Sequence, residues 1–387
     1  MVKIQKVSEV CEIIMGQSPP SDSYNDKGIG MPFFQGKSEF GELNPTPKWY
    51  CSSPIRLAEV DDILISVRAP VGDVNIANVN CCIGRGLAAI RPDKTKLLTK
   101  FLFYVLKGKK REIENMGTGS TFKAISKKDL VNIKIPVPNI EIQKKIVNTF
   151  DKAQELIDKR KAQIEALDQL TQSVFLEMFG DPRSNPKNFN KVSLGELFEI
   201  KTGGTPSRNN KDYWNGDIPW VKTTEVNENV IIQTEEFISE EGLSNSNAVL
   251  LPANTLLIAM YGQGKTRGRT AKLGIEATTN QACAALLPNT EIEQDFIWKQ
   301  LIIQYEELRS LGRGGNQPNL NLNLVRQFEV IVPPDSMQRE FVGIIKKIDN
   351  TKNILKQSME DLENMFNSLM QRAFKGELFT EQKVSNL

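Results

Sequence analysis

The chain of 387 residues contains no histidine. Histidine is the commonest general base near neutral pH, so its absence removes the Ser-His-Asp and Cys-His mechanisms of nucleophilic catalysis. The five cysteines form no Cys-x-x-Cys pair and have no histidine beside them, which argues against a zinc site. We therefore expect a non-catalytic protein with no metal or cofactor of its own.

Long hydrophobic runs and an excess of charge are also missing. No apolar run reaches ten residues, and residues 1–6 lack the apolar core of a signal peptide, so the sequence predicts a soluble cytoplasmic protein without a membrane partner. The 49 basic and 47 acidic residues leave a net charge of +2, too small for a global field that attracts nucleic acid. Any contact with DNA must come from local basic loops or be shared with a partner.

What the sequence does contain is two segments with apolar residues at a seven-residue spacing. In the first, the two heptad positions are Phe150, Ile157, Ile164, Thr171 and Met178, and Ile146, Ala153, Leu167 and Val174. In the second, they are Phe341, Ile348, Leu355, Leu362 and Leu369, and Ile345, Met359, Phe366 and Ala373. Each pattern predicts a long helix with one apolar stripe, about 60 Å long for roughly forty residues. The stripes are expected to pair antiparallel as a coiled coil, because one globule separates them in the chain.

The chain consists of two copies of one unit. A Gly-x-x-Pro loop, a buried strand and a closing strand recur in order, at residues 16–19, 62–68 and 133–138 and again at residues 203–206, 255–261 and 328–334. Gln143 and Gln338 occupy matching places, 195 residues apart. The predicted boundaries are a first domain over residues 1–138, a central helix over 139–180, a linker over 181–191, a second domain over 192–333 and a C-terminal helix over 334–376.

These patterns indicate an α+β protein in which two similar mixed α/β domains are joined by two long paired helices with pseudo-two-fold symmetry. Two similar heads on a rigid spacer suit a linear, periodic ligand, and duplex DNA repeats its grooves about every 34–36 Å. Because the heads are similar but not identical, each is expected to read a different short sequence. The predicted target is an asymmetric bipartite site in double-stranded DNA, with untouched bases between its halves.

Basic and amide side chains in glycine-rich loops are the candidates for DNA contact. The loop over residues 262–274 carries Lys265, Arg267, Arg269 and Lys272 without an acidic residue up to Gly274, and its glycines let the backbone approach a phosphate. The other candidates are Lys201, Thr205, Arg208, Lys222, Arg313, Asn316 and Gln317 in the second domain, and Gln17, Lys37, Arg68, Arg85, Thr118 and Lys123 in the first. The alternative for any one of them is an ordinary polar surface loop.

Four segments resemble one known family. They are Gly84-Arg85-Gly86-Leu87-Ala88, Pro219-Trp220-Val221-Lys222-Thr223, Thr278-Thr279-Asn280-Gln281-Ala282 and Arg372-Ala373-Phe374-Lys375-Gly376-Glu377-Leu378. With the duplication and a helix after each copy, they resemble the specificity subunit of type I restriction-modification systems. The resemblance implies target recognition domains that each read one half-site, a coiled coil that sets the gap, and docking of two methyltransferase subunits, which a translocating nuclease subunit can join. It also implies that S-adenosylmethionine and ATP bind those partners.

Two alternatives stay open at this point. A coiled-coil adaptor that binds proteins at both ends would need no DNA, and a nucleic-acid enzyme with an unrecognised active site would need no partner. Residues 259–266 fit a relaxed phosphate-loop pattern, but Arg267-Gly268-Arg269-Thr270 is a poor helix start, which argues against nucleotide binding. The pair Asp61-Asp62 is interpreted as a solvated turn, and Cys81-Cys82 as small packing residues beside a strand.

Overall fold

The computed structural model describes residues 3–117, 123–262, 264–312 and 319–378. Contacts between residues divide the chain into two units. The first unit combines Met1–Ala162 with Lys356–Leu387, and the second comprises Gln163–Leu355. Each of the two long helices therefore belongs partly to the first unit and partly to the second.

In the described residues of the first unit, the strands form three small sheets. They are β1 (Lys3–Lys6), β2 (Cys11–Met15), β3 (Tyr24–Asn25), β4 (Met31–Phe34), β5 (Trp49–Cys51), β6 (Leu57–Ala58), β7 (Ile63–Ser66), β8 (Val74–Ile76), β9 (Cys81–Ile83), β10 (Leu87–Pro92) and β11 (Lys134–Val137). One sheet is antiparallel with the order β2-β10-β7-β8, and another has the order β3-β5-β4-β9-β6 with β4 and β9 parallel. β1 pairs with β11. The short helices are α1 (Val7–Val10), α2 (Thr99–Gly108), α3 (Lys110–Met116) and α4 (Lys127–Asn132), and the long α5 (Ile140–Phe179) follows them.

The second unit repeats this plan. Its strands are β12 (Asn190–Ser193), β13 (Ile200–Thr202), β14 (Ile218–Val221), β15 (Val230–Ile231), β16 (Glu236–Ile238), β17 (Leu256–Ala259), β18 (Thr270–Leu273), β19 (Thr278–Thr279), β20 (Cys283–Leu286) and β21 (Glu329–Val332). The sheet orders are β13-β20-β17-β18-β15, β16-β14-β19 and β12-β21. Its helices are α6 (Leu194–Leu197), α7 (Glu240–Ser244), α8 (Gln294–Ile303), α9 (Tyr305–Ser310) and α10 (Leu322–Arg326), and the long α11 (Asp335–Phe374) follows them. The predicted mixture of helix and sheet in two copies is confirmed.

The central strands of both units are apolar apart from Ser66 at the end of β7. Every residue of β7 and of β17 is buried. Side chains on both faces of such a strand contact the core, so the sequence needs no alternation of polar and apolar residues. The buried strands that the sequence predicts are confirmed, although each is shorter than the predicted range.

The long helices pack through the predicted stripes. In the first unit, the ring of Phe150 on α5 lies 5.7 Å from that of Phe366 and 5.9 Å from that of Phe374, both on α11. Every residue assigned to the two heptad patterns is buried or partly buried. No helix in the described ranges is long and apolar enough to cross a membrane.

A cluster of phenylalanine rings holds the other halves of these helices in the second unit. The rings of Phe175 and Phe341 lie 5.5 Å apart, and Asp168 on α5 forms an ion pair with Lys352 on α11. The later residue of α5, Phe175, contacts the earlier residue of α11, Phe341, so the two helices are antiparallel in the second unit. Phe175 is fully buried although it lies outside the two predicted heptad positions.

The matching glutamines tie the first turn of α5 to the first unit and the first turn of α11 to the second unit. Gln143 Oε1 accepts a hydrogen bond of 2.8 Å from Leu98 N, and its Nε2 donates to Pro138 O at 2.8 Å. Gln338 Oε1 accepts from Glu293 N at 3.2 Å, and its Nε2 donates to Pro333 O in the same way. Both side chains are buried, and an amide satisfies donors and acceptors there that an apolar side chain would leave unpaired.

Two interpretations of the sequence are wrong in detail. Asp61 is half exposed, but the Asp62 side chain is only 2% exposed. The Arg91 guanidinium donates two hydrogen bonds to the Asp62 carboxylate, from Nε and from Nη2, each 2.9 Å long. A buried carboxylate needs such a partner, so Asp62 is part of the core and not of a solvated turn. Lys272 is part of β18, where it forms an ion pair of 2.5 Å with Asp295, and is therefore not a loop residue facing solvent.

Candidate DNA-binding loops

A glycine loop and a turn meet closely in the second unit. Gly204 N donates to Thr279 O at 2.9 Å, and a Cβ on Gly203 would lie 1.9 Å from the same oxygen. Only glycine therefore allows the two backbones to approach this far. The contact continues outward, where Thr205 Oγ1 donates to Gln281 Oε1, and both of these residues are exposed.

The first unit has the same arrangement. Gln17 N donates to Ile83 O at 3.0 Å, and a Cβ on Gly16 would lie 2.1 Å from a backbone oxygen of the facing turn. Ser18 Oγ accepts a hydrogen bond of 3.3 Å from Arg85 N. Gln17 and Arg85 are both exposed, so the loop and the turn present side chains to solvent together.

The hydrogen bonds show which residues are equivalent in the two units. Arg85 and Gln281 each come two residues after the residue, Ile83 or Thr279, whose carbonyl accepts from the glycine loop. Arginine suits guanine and phosphate groups, whereas glutamine suits adenine. The two units therefore present different hydrogen-bonding groups from equivalent backbone positions.

Aromatic and acidic side chains hold two of the predicted cations in the second unit. The guanidinium carbon of Arg208 lies 3.4 Å from the centroid of a Trp214 ring, and its Nη1 pairs with Glu236. Lys222 pairs with Glu235 and lies 3.4 Å from Glu236. The hydrogen bond from Arg208 holds the pKa of the Glu236 carboxyl below its usual value, and Lys222 adds to the effect. Arg208 is thus held between the Trp214 ring and the Glu236 carboxylate.

The predicted basic loop follows β17, and its described residues, 260–262 and 264–269, are called the β17 loop. Gly268 N donates to Ala259 O at 2.8 Å, and Gly268 has φ of +86°, a conformation that favours glycine. Lys265 is exposed, while Arg267 and Arg269 are partly exposed. The loop is therefore closed at its base and places basic residues at the surface.

The corresponding loop of the first unit follows β7, and residues 67–73 are called the β7 loop. Arg68 is exposed and forms an isolated β-bridge with Ala124, which places Lys123 beside it. Asp73 forms ion pairs of 2.7 Å with both Lys37 and Lys110. Burial raises the pKa of Asp73, but hydrogen bonds from the two lysines outweigh burial and lower it overall.

Of the remaining predicted residues, one is paired with an acidic neighbour and four lie outside the described part of the chain. Lys201 forms an ion pair of 3.1 Å with Glu199 beside it. Thr118, Arg313, Asn316 and Gln317 lie outside the described residues. Sequence reasoning missed Gln281 and Ser18 as loop residues. Aligning the two copies on Gly16 and Gly203 places Ser18 opposite Thr205, and aligning them on Leu87 and Cys283 places Gln281 opposite Arg85.

The buried cysteines are poor nucleophiles. Burial raises the pKa of the Cys81 thiol to about 12 and that of Cys283 to about 11. A thiol needs to ionise to attack or to bind a metal. These groups stay protonated near neutral pH, which agrees with the prediction that Cys81 is a packing residue, although it lies within β9 and not beside a strand.

Two copies of a mixed sheet domain, each presenting polar loops and each followed by a long helix, define a duplicated α+β protein. Residues 1–166 and 186–364 match the family model described as the type I restriction modification DNA specificity domain. The chain belongs to this family, as its sequence segments indicated.

Individual relatives agree with the assignment. The chain is 54% identical to a protein of Methanocaldococcus jannaschii named as the MjaX specificity subunit of a type I restriction enzyme, over 40% of this chain and 37% of the relative's length. It is 24% identical to the MjaIX specificity subunit of the same organism, over 98% of this chain and 94% of the relative.

Solved structures show the same fold. The S subunit of a type I restriction-modification system from M. genitalium has a TM-score of 0.55 at 20% identity and covers 96% of both chains. A structure described as concerning complex assembly and conformational transition of the type I R-M system has a TM-score of 0.62 at 17% identity, over 97% of this chain and 98% of the other.

Proposed function

We propose that this chain, a type I specificity subunit, recognises an asymmetric bipartite site in double-stranded DNA. The first unit reads one half-site through the loops around Arg85 and Arg68. The second unit reads the other through the loops around Gln281, Arg208 and Lys265. The bases between the halves are not read.

The observation that carries this proposal is the pair of equivalent turns with unlike side chains. The backbone positions of Arg85 and Gln281 correspond, yet one side chain offers five N–H donors and the other an amide with both a donor and an acceptor. A protein that read two identical half-sites would need the same groups at both places. Different groups on one framework support two different half-site sequences.

We further propose that the long helices set the gap and provide docking surfaces for two methyltransferase subunits, which a nuclease subunit can join. Each helix has 40 residues, so each is about 60 Å long. The helices carry charged residues away from their apolar stripes, which suits contact with partner subunits. The chain itself is non-catalytic, and S-adenosylmethionine and ATP bind to the partners.

The test is co-expression with the methyltransferase subunit, followed by genome-wide mapping of methylated adenines. We expect one asymmetric motif with two short specified parts and a fixed unspecified gap. Methylation at a continuous or symmetric motif would contradict the bipartite reading. No methylation, together with no DNA binding by the purified complex, would favour a coiled-coil adaptor.

The non-catalytic role has a separate test. The purified chain alone is incubated with S-adenosylmethionine carrying a labelled methyl group and with DNA that contains the mapped motif. We expect no transfer, and full transfer after the methyltransferase subunit is added. Transfer by the chain alone would show an active site of its own.

A further inference from the structure

Two side chains of α9 hold the backbone of the β17 loop. Tyr305 Oη donates to Lys265 O at 2.7 Å. Arg309 Nη2 donates to Gly264 O at 2.5 Å, and Arg309 Nη1 donates to Arg267 O at 3.1 Å. Three carbonyl groups of this short loop are therefore bonded to one face of α9, while the Lys265 side chain stays exposed.

A glycine in the loop and a glycine after α9 allow the loop and the helix to approach closely. A Cβ on Gly268 would lie 3.2 Å from Arg309 Cβ, and a Cβ on Gly312 would lie 3.2 Å from Arg267 Nε. Arg309 Nη1 also lies 3.2 Å from Tyr305 Oη, so the two anchoring side chains support each other. The glycines leave the room that this contact needs.

A loop with several glycines would otherwise be flexible, and ordering it on DNA would oppose binding. A planar guanidinium is suited to hold two carbonyl oxygens at once, because its N–H groups have a fixed geometry. The bonds to Arg309 keep the loop ordered before DNA arrives. The basic side chains then meet the phosphates without that loss of entropy.

We infer that Arg309 is a positioning residue for DNA binding, which acts by holding the β17 loop through Gly264 and Arg267 and does not touch DNA itself. Tyr305 assists it through Lys265. This inference rests on the proposed function, in which the β17 loop contacts DNA. It assigns to α9 a role that sequence reasoning did not give to any of its residues.

The test measures the affinity of the complex with its methyltransferase subunits for motif DNA as a function of salt. For Arg309→Met we expect an affinity about 5- to 30-fold lower at one salt concentration, because the loop must be ordered on binding. The slope of log affinity against log salt stays unchanged, since no phosphate contact is lost. A slope reduced by about 0.9 would instead show that Arg309 contacts a phosphate, and would overturn the inference.

Two further variants separate the contributions. Tyr305→Phe removes one hydrogen bond and is expected to lower affinity about 2- to 5-fold without a change in slope. Arg183→Met is the matched control, because it removes the same charge from the linker, where Arg183 pairs with Asp181 at 2.7 Å. The control should change affinity less than 2-fold, by rough estimate.

Hydrogen exchange provides a readout that does not depend on DNA. Arg309→Met should increase exchange at the amides of the β17 loop, with the thermal midpoint of the complex within the range of the control. Unchanged exchange in the loop, or a lowered midpoint with exchange increased throughout the second unit, would contradict a positioning role. Failure of the wild-type complex to bind or methylate DNA would instead count against the proposed function.

Discussion

The β7 loop and the β17 loop begin and end alike but differ in between. Gly72 N bonds to Ser66 O at 2.9 Å in the first unit, as Gly268 N bonds to Ala259 O at 2.8 Å in the second, and both glycines have positive φ near 90°. Gly72 follows its partner by six residues and Gly268 by nine, so the β17 loop is three residues longer. The framework fixes the loop ends by backbone bonds, which leaves length and charge free to differ.

The two units also differ at the opposite ends of β7 and β17, away from these loops. The register of β7 with β10 and of β17 with β20 makes Asp62 equivalent to Thr255, and Arg91 equivalent to Leu287. The first unit thus has an ion pair where the second has a hydroxyl and an apolar side chain. Thr255 Oγ1 is satisfied locally by Pro252 O at 2.7 Å. The same fold can have either an ion pair or uncharged side chains at these two positions, provided that each buried polar group has a hydrogen-bond partner.

The largest expected effect is on the buried ion pair. Asp62→Ala leaves the Arg91 guanidinium, which is 28% exposed, with Glu59 at 3.0 Å as its nearest remaining carboxylate, and should lower the free energy of unfolding of the first unit by about 3 kcal/mol. Thr255→Val, its counterpart, removes one neutral hydrogen bond and should lower that of the second unit by about 1 kcal/mol. Hydrogen exchange of β7 and β17 amides measures the two effects separately. Equal effects would show that the equivalence of the sites extends to their energetics.

The next effect concerns the cations of the longer loop. Replacing Lys265, Arg267 and Arg269 together by alanine should lower the affinity of the complex for motif DNA about 100-fold and reduce the salt slope by about two to three. Fluorescence anisotropy at several salt concentrations measures both quantities. An unchanged affinity and slope would mean that the β17 loop does not face DNA.

A smaller effect is expected in the shorter loop, which carries one predicted contact. Arg68→Ala should lower affinity about 5-fold and reduce the salt slope by about 0.9. Lys94→Ala is the matched control, since Lys94 lies beyond the far end of β10 and pairs with Asp61. A loss of affinity as large as that of the triple variant would show that the contribution of a loop to DNA affinity does not depend on its number of cations.

The smallest effect depends on pH. The pKa of Asp73 is lowered in the fold because bonds from Lys110 and Lys37 outweigh burial, so its stabilising effect is complete above the unfolded pKa of about 3.9 and is lost as pH falls through the lower folded pKa. The hydrogen bonds that hold the β17 loop run from Arg309 to the backbone carbonyl groups of Gly264 and Arg267 and involve no carboxylate. Protection against hydrogen exchange should therefore fall first in the β7 loop on acidification. Asp73→Asn should abolish this difference, and its persistence would assign the acid response to another group.

The heptads and the duplication were readable from sequence for a simple reason. A helix repeats its contact face about every seven residues, so Phe150 and Phe366 reveal their burial through spacing alone. The glycine loops were readable because both copies contain them. Asp62 was misread since an acidic pair before a strand is usually solvated, and its partner Arg91 is 29 residues away.

The sequence by itself determined the two long helices, the two copies of one unit and the family, because these depend on local periodicity and on order along the chain. The tertiary structure alone decided which cations are held by acidic neighbours, as Arg208 is by Glu236, and which side chains hold a loop, as Arg309 does. Such pairs depend on residues that are distant in sequence and that meet only after the sheets have formed. Their partners leave no periodic signal, so only packing reveals them.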